Sequence, residues 1–325
     1  MTSLIQLLQN ADIQPVLVDV GASGAPPPLW QVLAAASIYV GFDPDQRDFH
    51  ELPDSPFCRA IIVNKAITAQ PDEQSIRFFL TSSPYCSSTL QPDAHSLQAF
   101  LFADLFKVES TAEVPATTLD KIVTELELGQ IDWLKMDTQG TDLRLFLSLA
   151  PAFRGQVLAL DVEPGLIDAY KGEDLFVDVH RTITEQGFWL SNLDVQSTVR
   201  MQRDMLNKIP GLQNQGDQEL FTRGLKLTPG WCEARYLRRL ESLMAPTRRD
   251  LIVLYTFALV DSQIGYACEI MMMYEKQFGT DANFALMTEH VRAQVTAKIN
   301  KQRTRALLKS LGRPFLPLLR NILNS

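Results

Sequence analysis

The sequence predicts an α/β protein with a doubly wound, mostly parallel sheet and an all-helical C-terminal extension. Three observations support this fold class. Short apolar runs ending in turn or acidic residues alternate with stretches at helical spacing over the first two thirds of the chain, which is typical of β-α-β units. The runs have no polar face, as expected for a parallel sheet covered by helices on both sides. After Trp231 the spacing is helical almost to the end.

Seven segments are predicted to be strands. The five that should form the buried parallel sheet are 16–21, 38–43, 60–67, 132–137 and 157–163. Two further strands are predicted at 75–81 and 188–193, the second after a helix that ends at Gly187. The alternating pattern stops at about residue 201, and apolar stripes at helical spacing after Trp231 predict packed helices. We therefore predict a first domain at 1–200 and a helical extension at 201–325.

Composition excludes several classes of protein. A 46% apolar content over 325 residues is that of a globular chain, so a disordered or fibrous protein is excluded. The net charge of −8 would repel phosphates, so no nucleic acid partner is expected. Four cysteines without a CxxC pair predict reduced thiols, and the longest apolar run, 251–260, is too short to span a bilayer. We therefore expect a cytoplasmic protein.

The charge is unevenly distributed along the chain. Residues 290–325 contain eight basic and no acidic residues, which leaves 22 basic against 38 acidic residues and a net charge of −16 before that point. Two interpretations of this basic tail remain open. It could lie as a helix on anionic lipid or on a lipid-linked substrate. The interpretation we favour is a solvated helix that pairs with the acidic body of its own or a neighbouring subunit, as in a homo-oligomer.

Strand ends carry the candidate ligand-binding residues, because ligands of open parallel sheets bind beyond the carboxyl ends of the strands. The first strand runs into a glycine turn whose candidate residues are Asp19, Gly21, Ala22 and Gly24. Asp43 follows the second strand, where a carboxylate can accept hydrogen bonds from both ribose hydroxyls. The glycines alone could form an ordinary strand-to-helix turn, but together with Asp43 they predict a bound nucleoside.

The type of nucleoside follows from what the glycine turn lacks. Gly24 is followed by Ala25 and three prolines, so the third glycine of a dinucleotide fingerprint is missing and a nicotinamide oxidoreductase is disfavoured. The sequence also has no G-K-S/T phosphate loop. A nucleoside without a pyrophosphate remains, and Asp19 could hold a ligand ammonium group. S-adenosylmethionine fits both requirements.

Four segments in order resemble the FkbM-type methyltransferases, which depend on S-adenosylmethionine. They are VLVDVGASG at 16–24, YVGFDP at 39–44, TTLDKIV with IDWLKMDTQGTDLRLF over 117–146, and DVEPGLIDAYKGEDLFVDVHRTITEQGFWLSNL at 161–193. The resemblance implies a Rossmann-like class I methyltransferase fold, an S-adenosylmethionine-binding domain within 1–200 and transfer to an oxygen acceptor. The chain departs from the family in its three prolines after Gly24, and in Gln139 and Asp142, where many members have glutamates.

Candidate catalytic residues lie at the ends of the fourth and fifth strands. Asp137 could orient or deprotonate a substrate hydroxyl, and Lys135 could favour the charge that develops on that oxygen. The alternative is a Lys–Asp pair that only stabilises the strand end. Glu163 is the next candidate, on the same sheet face as Asp161. The two acids do not form a histidine-rich or D-x-D grouping, so no metal site is predicted.

Further residues have weaker support. Asn64 and Ala66 end the third strand, where S-adenosylmethionine enzymes contact the adenine. His180 is expected to be an ordinary helical histidine, and the serines of the segment TSSPYCSST at 81–89 either form a loop over the site or a solvated loop. The predicted function is O-methylation of a hydroxyl on a sugar, glycan or related metabolite. The alternative is a non-catalytic nucleoside-binding or scaffold protein that acts through its helical, basic C-terminal part.

Overall fold

A computed structural model describes residues 2–45, 47, 55–212 and 214–312 of the chain. Its strands are β1 Val16–Val20, β2 Ile38–Phe42, β3 Arg59–Val63, β4 Ala66–Ile67, β5 Ser75–Thr81, β6 Val108–Thr117, β7 Trp133–Met136, β8 Ala159–Val162, β9 Phe188–Thr198 and β10 Thr228–Arg238. Its α-helices are α1 Thr2–Asn10, α2 Ala94–Leu97, α3 Leu119–Glu125, α4 Asp142–Ser148, α5 Pro151–Gln156, α6 Phe176–Glu185, α7 Arg203–Leu206, α8 Gln215–Arg223, α9 Arg248–Val260, α10 Ile264–Phe278 and α11 Ala282–Gly312. Short 3₁₀ helices occur at Pro28–Val32, Ala34–Ala36, Pro84–Cys86, Leu101–Phe106 and Leu240–Ser242.

The central sheet has seven strands in the order β3-β2-β1-β7-β8-β10-β9. The first five are parallel, and β10 runs antiparallel to both of its neighbours. The prediction of an α/β protein with a mostly parallel sheet is therefore confirmed. The single strand predicted at 60–67 is wrong in its extent. Asn64 and Lys65 interrupt it, so that β3 lies in the central sheet and β4 in a different sheet.

A second sheet of three strands, in the order β4-β6-β5, takes up the segment predicted at 75–81. Strand β6 pairs parallel with β4 and antiparallel with β5, and the chain then enters α3. The first four residues of β6 are exposed, so this strand lacks the apolar run by which the buried strands were recognised.

The prediction that residues 201–325 are all helical is wrong, because β10 lies between β8 and β9 in the central sheet. Its side chains alternate between buried Cys232, Ala234 and Tyr236 and the more exposed Glu233 and Arg235. This alternation with period two is the strand signal that the helical interpretation overlooked. The division of the chain at residue 200 stays a prediction.

Helix α9 is apolar on all sides because it is buried on all sides. Every residue from Leu251 to Leu259 is buried, and the helix shares one apolar cluster with residues of α1, α10 and the sheet. A capping box begins α9, in which Thr247 and Asp250 satisfy each other's backbone N–H groups. None of the helices in the described part of the chain is both long and apolar enough to cross a membrane.

The basic tail extends from the body as the second half of α11. Residues 292–306 are exposed on every side, including the basic residues among them. The side chain of Lys309, and the whole of Arg313 and Arg320, lie outside the described residues, so the predicted roles of the tail in lipid binding or subunit pairing stay predictions.

Candidate active site

Four strand ends meet where the order of the central sheet reverses. Strand β1 lies between β2 and β7, and β8 follows β7 in the same direction. In open parallel sheets this switch point leaves a crevice beyond the carboxyl ends of the strands. The residues that follow these four strands therefore face a common space.

The glycine turn lies directly against the end of β7. Gly21 has a φ of +83°, and a Cβ at this position would lie 2.0 Å from the backbone carbonyl oxygen of Asp137. Only glycine therefore fits here. The N–H groups of Gly21 and Ala22 both donate to the carbonyl of Phe42, at 2.8 and 2.9 Å. Gly24 also has a positive φ, +75°, but open space surrounds the position of its missing Cβ.

Asp43 lies at the end of β2 and is buried. One of its carboxylate oxygens accepts the backbone N–H of Asp45 at 2.7 Å, and its backbone carbonyl accepts the side-chain amide of Asn64 at 2.7 Å. The carboxylate of Asp45 pairs with Arg47 at 2.6 Å. Asp43 lines the adjacent cavity and is held there by its neighbours along the chain.

The glycine-turn cavity is the space between β1, β2 and the second sheet. It is lined by residues that include Gly21, Ser23, Asp43, Ala66, Phe78, Ser87 and Asp137. Of the two predicted adenine contacts, Ala66 faces this cavity, whereas the Asn64 side chain supports the backbone of Asp43. The serine-containing segment at 81–89 also contributes to the wall of this cavity through Ser87. The Ser87 hydroxyl accepts a hydrogen bond from Arg47 at 2.9 Å.

Lys135 makes a different pair from the one predicted. Its ammonium nitrogen lies 2.8 Å from a carboxylate oxygen of Asp19, its neighbour across β1 and β7, and not in an ion pair with Asp137. Burial alone would lower the pKa of Lys135, but Asp19 and Asp137 together raise it above its usual value. Tyr39 also donates to Asp19, at 3.3 Å. Asp19 is therefore engaged by two partners in the sheet.

Asp137 and Glu163 form a carboxylate pair that Gln139 bridges. The side-chain amide nitrogen of Gln139 lies 2.7 Å from Asp137 Oδ1 and 3.3 Å from Glu163 Oε2. Burial, followed by the charge and a hydrogen bond of Asp137, raises the pKa of Glu163 to about 10. A second carboxylate next to a buried carboxyl group disfavours its ionised form. The ends of β7 and β8 thus bring together two carboxyl groups, of which Glu163 favours its protonated form.

Asp142 has a structural role at the same sheet edge. Its Oδ1 accepts the N–H and hydroxyl of Thr138, and its Oδ2 accepts the N–H of Glu163 at 2.8 Å. Burial raises the pKa of Asp142 to about 6, against the opposing effect of these hydrogen bonds. The side chain ties the end of β7 to the end of β8. In the described part of the chain, no group of three or more His, Cys, Asp or Glu side chains is arranged to hold a metal ion.

Two more cavities open onto Asp137. The charged cavity has Asp19, Lys135, Asp161, Glu163, Glu233 and Arg235 among its lining residues. Arg235 is held in place there by ion pairs to Asp161 and Asp261, at 2.7 and 2.9 Å. The aromatic cavity lies on the other side of Glu163. Because Asp137 lines all three cavities, it is the point where the contents of these cavities would meet.

The aromatic cavity is built by loops and by β10. The rings of Phe102 and Trp231 are stacked, with centroids 6.0 Å apart and an interplanar angle of 7°. The Tyr170 hydroxyl lies 2.8 Å from the side-chain oxygen of Gln139 and from the backbone carbonyl of Cys86. Phe102 and the bridging role of Gln139 were not predicted from the sequence, and Trp231 was interpreted as a packing residue. The position of Gln139, two residues after the strand-end acid Asp137, was a sequence signal for a site residue. No sequence signal pointed to Phe102.

No histidine among the described residues lines these three cavities. His180 on α6 stacks on Phe176 and lies 3.2 Å from the Tyr236 hydroxyl, as expected of an ordinary helical histidine. His50 lies outside the described residues.

Residues 30–190 match the model of the Methyltransferase FkbM domain. No curated protein matches the chain. The matched segment contains the ends of β2, β7 and β8 and begins after the glycine turn, so the interpretation of that turn depends on its geometry. The resemblance predicted from the sequence is confirmed over residues 30–190, which match the FkbM methyltransferase domain.

Proposed function

We propose that the protein is a methyltransferase that uses S-adenosylmethionine and methylates a hydroxyl on a sugar, glycan or related metabolite. The observation that carries the proposal is the meeting of three cavities at Asp137, one against the glycine turn and Asp43 and one with aromatic walls. The parallel strands follow the order 3-2-1-4-5 of doubly wound nucleotide-binding sheets. This order supports the assignment of a Rossmann-like class I fold.

The residues of the glycine-turn cavity fit a nucleoside. Gly21 has no side chain at a position where a Cβ would collide with the carbonyl of Asp137. Asp43 presents a buried carboxylate at the end of β2 that can accept hydrogen bonds from ribose hydroxyls. Asp19, Ala22, Gly24, Asn64 and Ala66 complete the proposed cofactor-binding set. When bound, S-adenosylmethionine supplies an activated methyl group on a positively charged sulfur.

The aromatic cavity suits a neutral acceptor with an apolar ring face. Its walls include Phe102, Phe106 and Trp231, and the charged side chains that line it, Asp137, Glu163 and Glu173, are all acidic. A phosphorylated or carboxylated acceptor would be repelled by these acids. A sugar ring could stack on the aromatic wall while one hydroxyl reaches the carboxylate pair.

Asp137 is the proposed base. An acceptor hydroxyl in the aromatic cavity can donate a hydrogen bond to Asp137, which orients its oxygen and accepts its proton. Glu163 and Lys135 are the remaining catalytic candidates. Lys135 acts through Asp19 and the local positive potential, because its ammonium group is already paired.

Calorimetry with S-adenosylhomocysteine tests the proposal. We expect binding to the wild-type protein and at least a tenfold loss of affinity in Asp43→Ala, because charge-assisted hydrogen bonds to the ribose are lost. Asp43→Asn is the matched control for folding, since it keeps an acceptor for the N–H of Asp45. The absence of binding at high micromolar ligand to the folded protein would refute the cofactor assignment and favour a scaffold that acts through its C-terminal part.

A further inference from the structure

Gln139 bridges Asp137 and Glu163 and also contacts Tyr170. Its side-chain oxygen lies 2.8 Å from the Tyr170 hydroxyl, and its NH₂ nitrogen lies 2.7 Å from Asp137 Oδ1 and 3.3 Å from Glu163 Oε2. Gln139 holds this position with a left-handed φ of +57°, which is uncommon outside glycine. The amide donates to one oxygen of each carboxyl group, which holds the two groups on either side of a single NH₂.

The charged groups around the pair do not neutralise it. The two nearby cations are already paired, Lys135 with Asp19 and Arg235 with Asp161 and Asp261. The other ionisable groups that face the pair are acidic or form anions when they ionise. They are Asp142 on α4, Glu233 and Cys232 on β10, Glu173 and Tyr170 in the loop before α6, and Cys86 in the 3₁₀ helix after β5.

We infer that Asp137 and Glu163 act as one unit that holds a single proton in the cofactor-free protein and releases it when a cationic cofactor binds. The inference rests on the proposed use of S-adenosylmethionine. Asp137 and Gln139 line the glycine-turn cavity, so the pair forms part of the wall of the proposed cofactor site. A positive charge close to a carboxyl group favours its ionised form.

This coupling gives the pair a different response to cofactor and to product. S-adenosylmethionine carries a positive sulfur, whereas S-adenosylhomocysteine has a neutral sulfur in an otherwise similar molecule. With the cation present, both carboxyl groups are ionised and ready to accept the proton of an acceptor hydroxyl. Uptake of that proton returns the pair to its singly protonated form. This is the form favoured beside the product, because the sulfur of S-adenosylhomocysteine is neutral.

The burial and the pKa of Glu163 support this charge state. The raised pKa, about 10, means that the pair retains its proton at pH 8 in the absence of ligand. Binding that releases a full proton becomes stronger by up to about tenfold for each pH unit. The affinity for S-adenosylmethionine should therefore rise with pH relative to the affinity for S-adenosylhomocysteine.

Calorimetry at pH 8 in two buffers with different ionisation enthalpies measures the proton release. We expect wild-type protein to release close to one proton on binding S-adenosylmethionine and markedly less on binding S-adenosylhomocysteine. Glu163→Gln should bind both ligands and lose the difference between them. The matched control is Glu173→Gln, which removes another partly buried acid of the aromatic cavity and should keep the difference.

The outcomes separate this inference from the proposed function. If both ligands bind and wild-type protein releases equal numbers of protons with each, the shared-proton pair is wrong and the cofactor assignment stands. The same conclusion follows if Glu163→Gln retains the full difference. If neither ligand binds to the folded protein, the cofactor assignment fails and the inference fails with it.

Discussion

The glycine-turn cavity and the aromatic cavity meet at Asp137 but are built in different ways. The first is formed mainly by residues that directly follow strands, so each is fixed by the sheet itself. The second is formed by loop residues and by Trp231 of β10, which come from distant parts of the chain. A cavity fixed by the sheet suits a cofactor that is common to many enzymes. A cavity formed by loops suits an acceptor that differs between enzymes, because loops vary more than the sheet does.

Electrostatics distinguish the two sides as well. On the side of the glycine turn, the acids Asp19 and Asp45 are paired with Lys135 and Arg47. On the aromatic side, Glu163 and Glu173 have no ion pair within the described part of the chain, and the pKa of each is raised, chiefly by burial. Substitutions on the two sides should therefore affect different measurements.

The largest effect is expected where the two sides meet. Asp137→Asn keeps the shape of the side chain and removes its charge, so methyl transfer to the true acceptor should fall by about 10²-fold or more. Affinity for S-adenosylhomocysteine should remain within a factor of about three, because the ligand has no charge on sulfur. Turnover and calorimetry on the same preparation measure both quantities. Wild-type turnover would show that Asp137 only supports the strand end and would favour Glu163 as the base.

The glycine turn tests the cofactor side. A methyl group at Gly21 would collide with the carbonyl of Asp137, whereas one at Gly24 would meet open space. Both residues have positive φ, so Gly21→Ala and Gly24→Ala share a backbone strain of about 1 kcal/mol or more and differ in the collision. We expect Gly21→Ala to lose at least tenfold in affinity for S-adenosylhomocysteine, and Gly24→Ala much less. Equal losses would mean that the close approach to Asp137 does not shape the site.

The difference in construction explains what the sequence could predict. The five parallel strands and the acids at their ends were recognisable because burial on both faces produces short apolar runs, and a strand end fixes where the next residue lies. Asp43 and Asp137 were found in this way. The partner of Lys135 was not, because the pairing with Asp19 depends on which strands are neighbours, and strand order is not visible in local spacing.

The aromatic side was harder to predict for a physical reason. Phe102 lies in a 3₁₀ helix and Trp231 in a strand more than a hundred residues later, and only the fold brings their rings together. Strand β10 was mistaken for a helix because Trp231, Tyr236, Leu240 and Leu243 also fit a helical spacing. The alternation from Cys232 to Tyr236 would have corrected this interpretation.

A substitution at Trp231 tests the acceptor side. Trp231→Ala removes one of the two stacked rings and should raise the KM for the acceptor by about tenfold, since an aromatic stacking partner contributes roughly 1 kcal/mol beyond its buried area. Trp231→Phe should restore most of the loss. Affinity for S-adenosylhomocysteine should not change in either variant. A loss of cofactor affinity that matches the change in KM would show that the two cavities are not independent.

The smallest effect concerns the stability of the aromatic side. The carboxylate of Glu173 accepts the N–H groups of Ala169 and Tyr170, and burial raises its pKa from 4.5 to about 7. The folded protein therefore binds this proton more tightly than the unfolded chain, so the group stabilises the fold below about pH 4.5 and loses this contribution as the pH rises through about 7. Because Glu173 is partly exposed, we expect the difference in unfolding free energy between wild type and Glu173→Gln to fall by only about 1 to 2 kcal/mol between pH 4.5 and 8. Urea denaturation across this range measures the difference, with Glu185→Gln at the exposed end of α6 as the control. A difference that stays constant with pH would mean that folding does not raise the pKa of Glu173, and the acidic wall of the aromatic cavity would then carry one more negative charge near neutral pH.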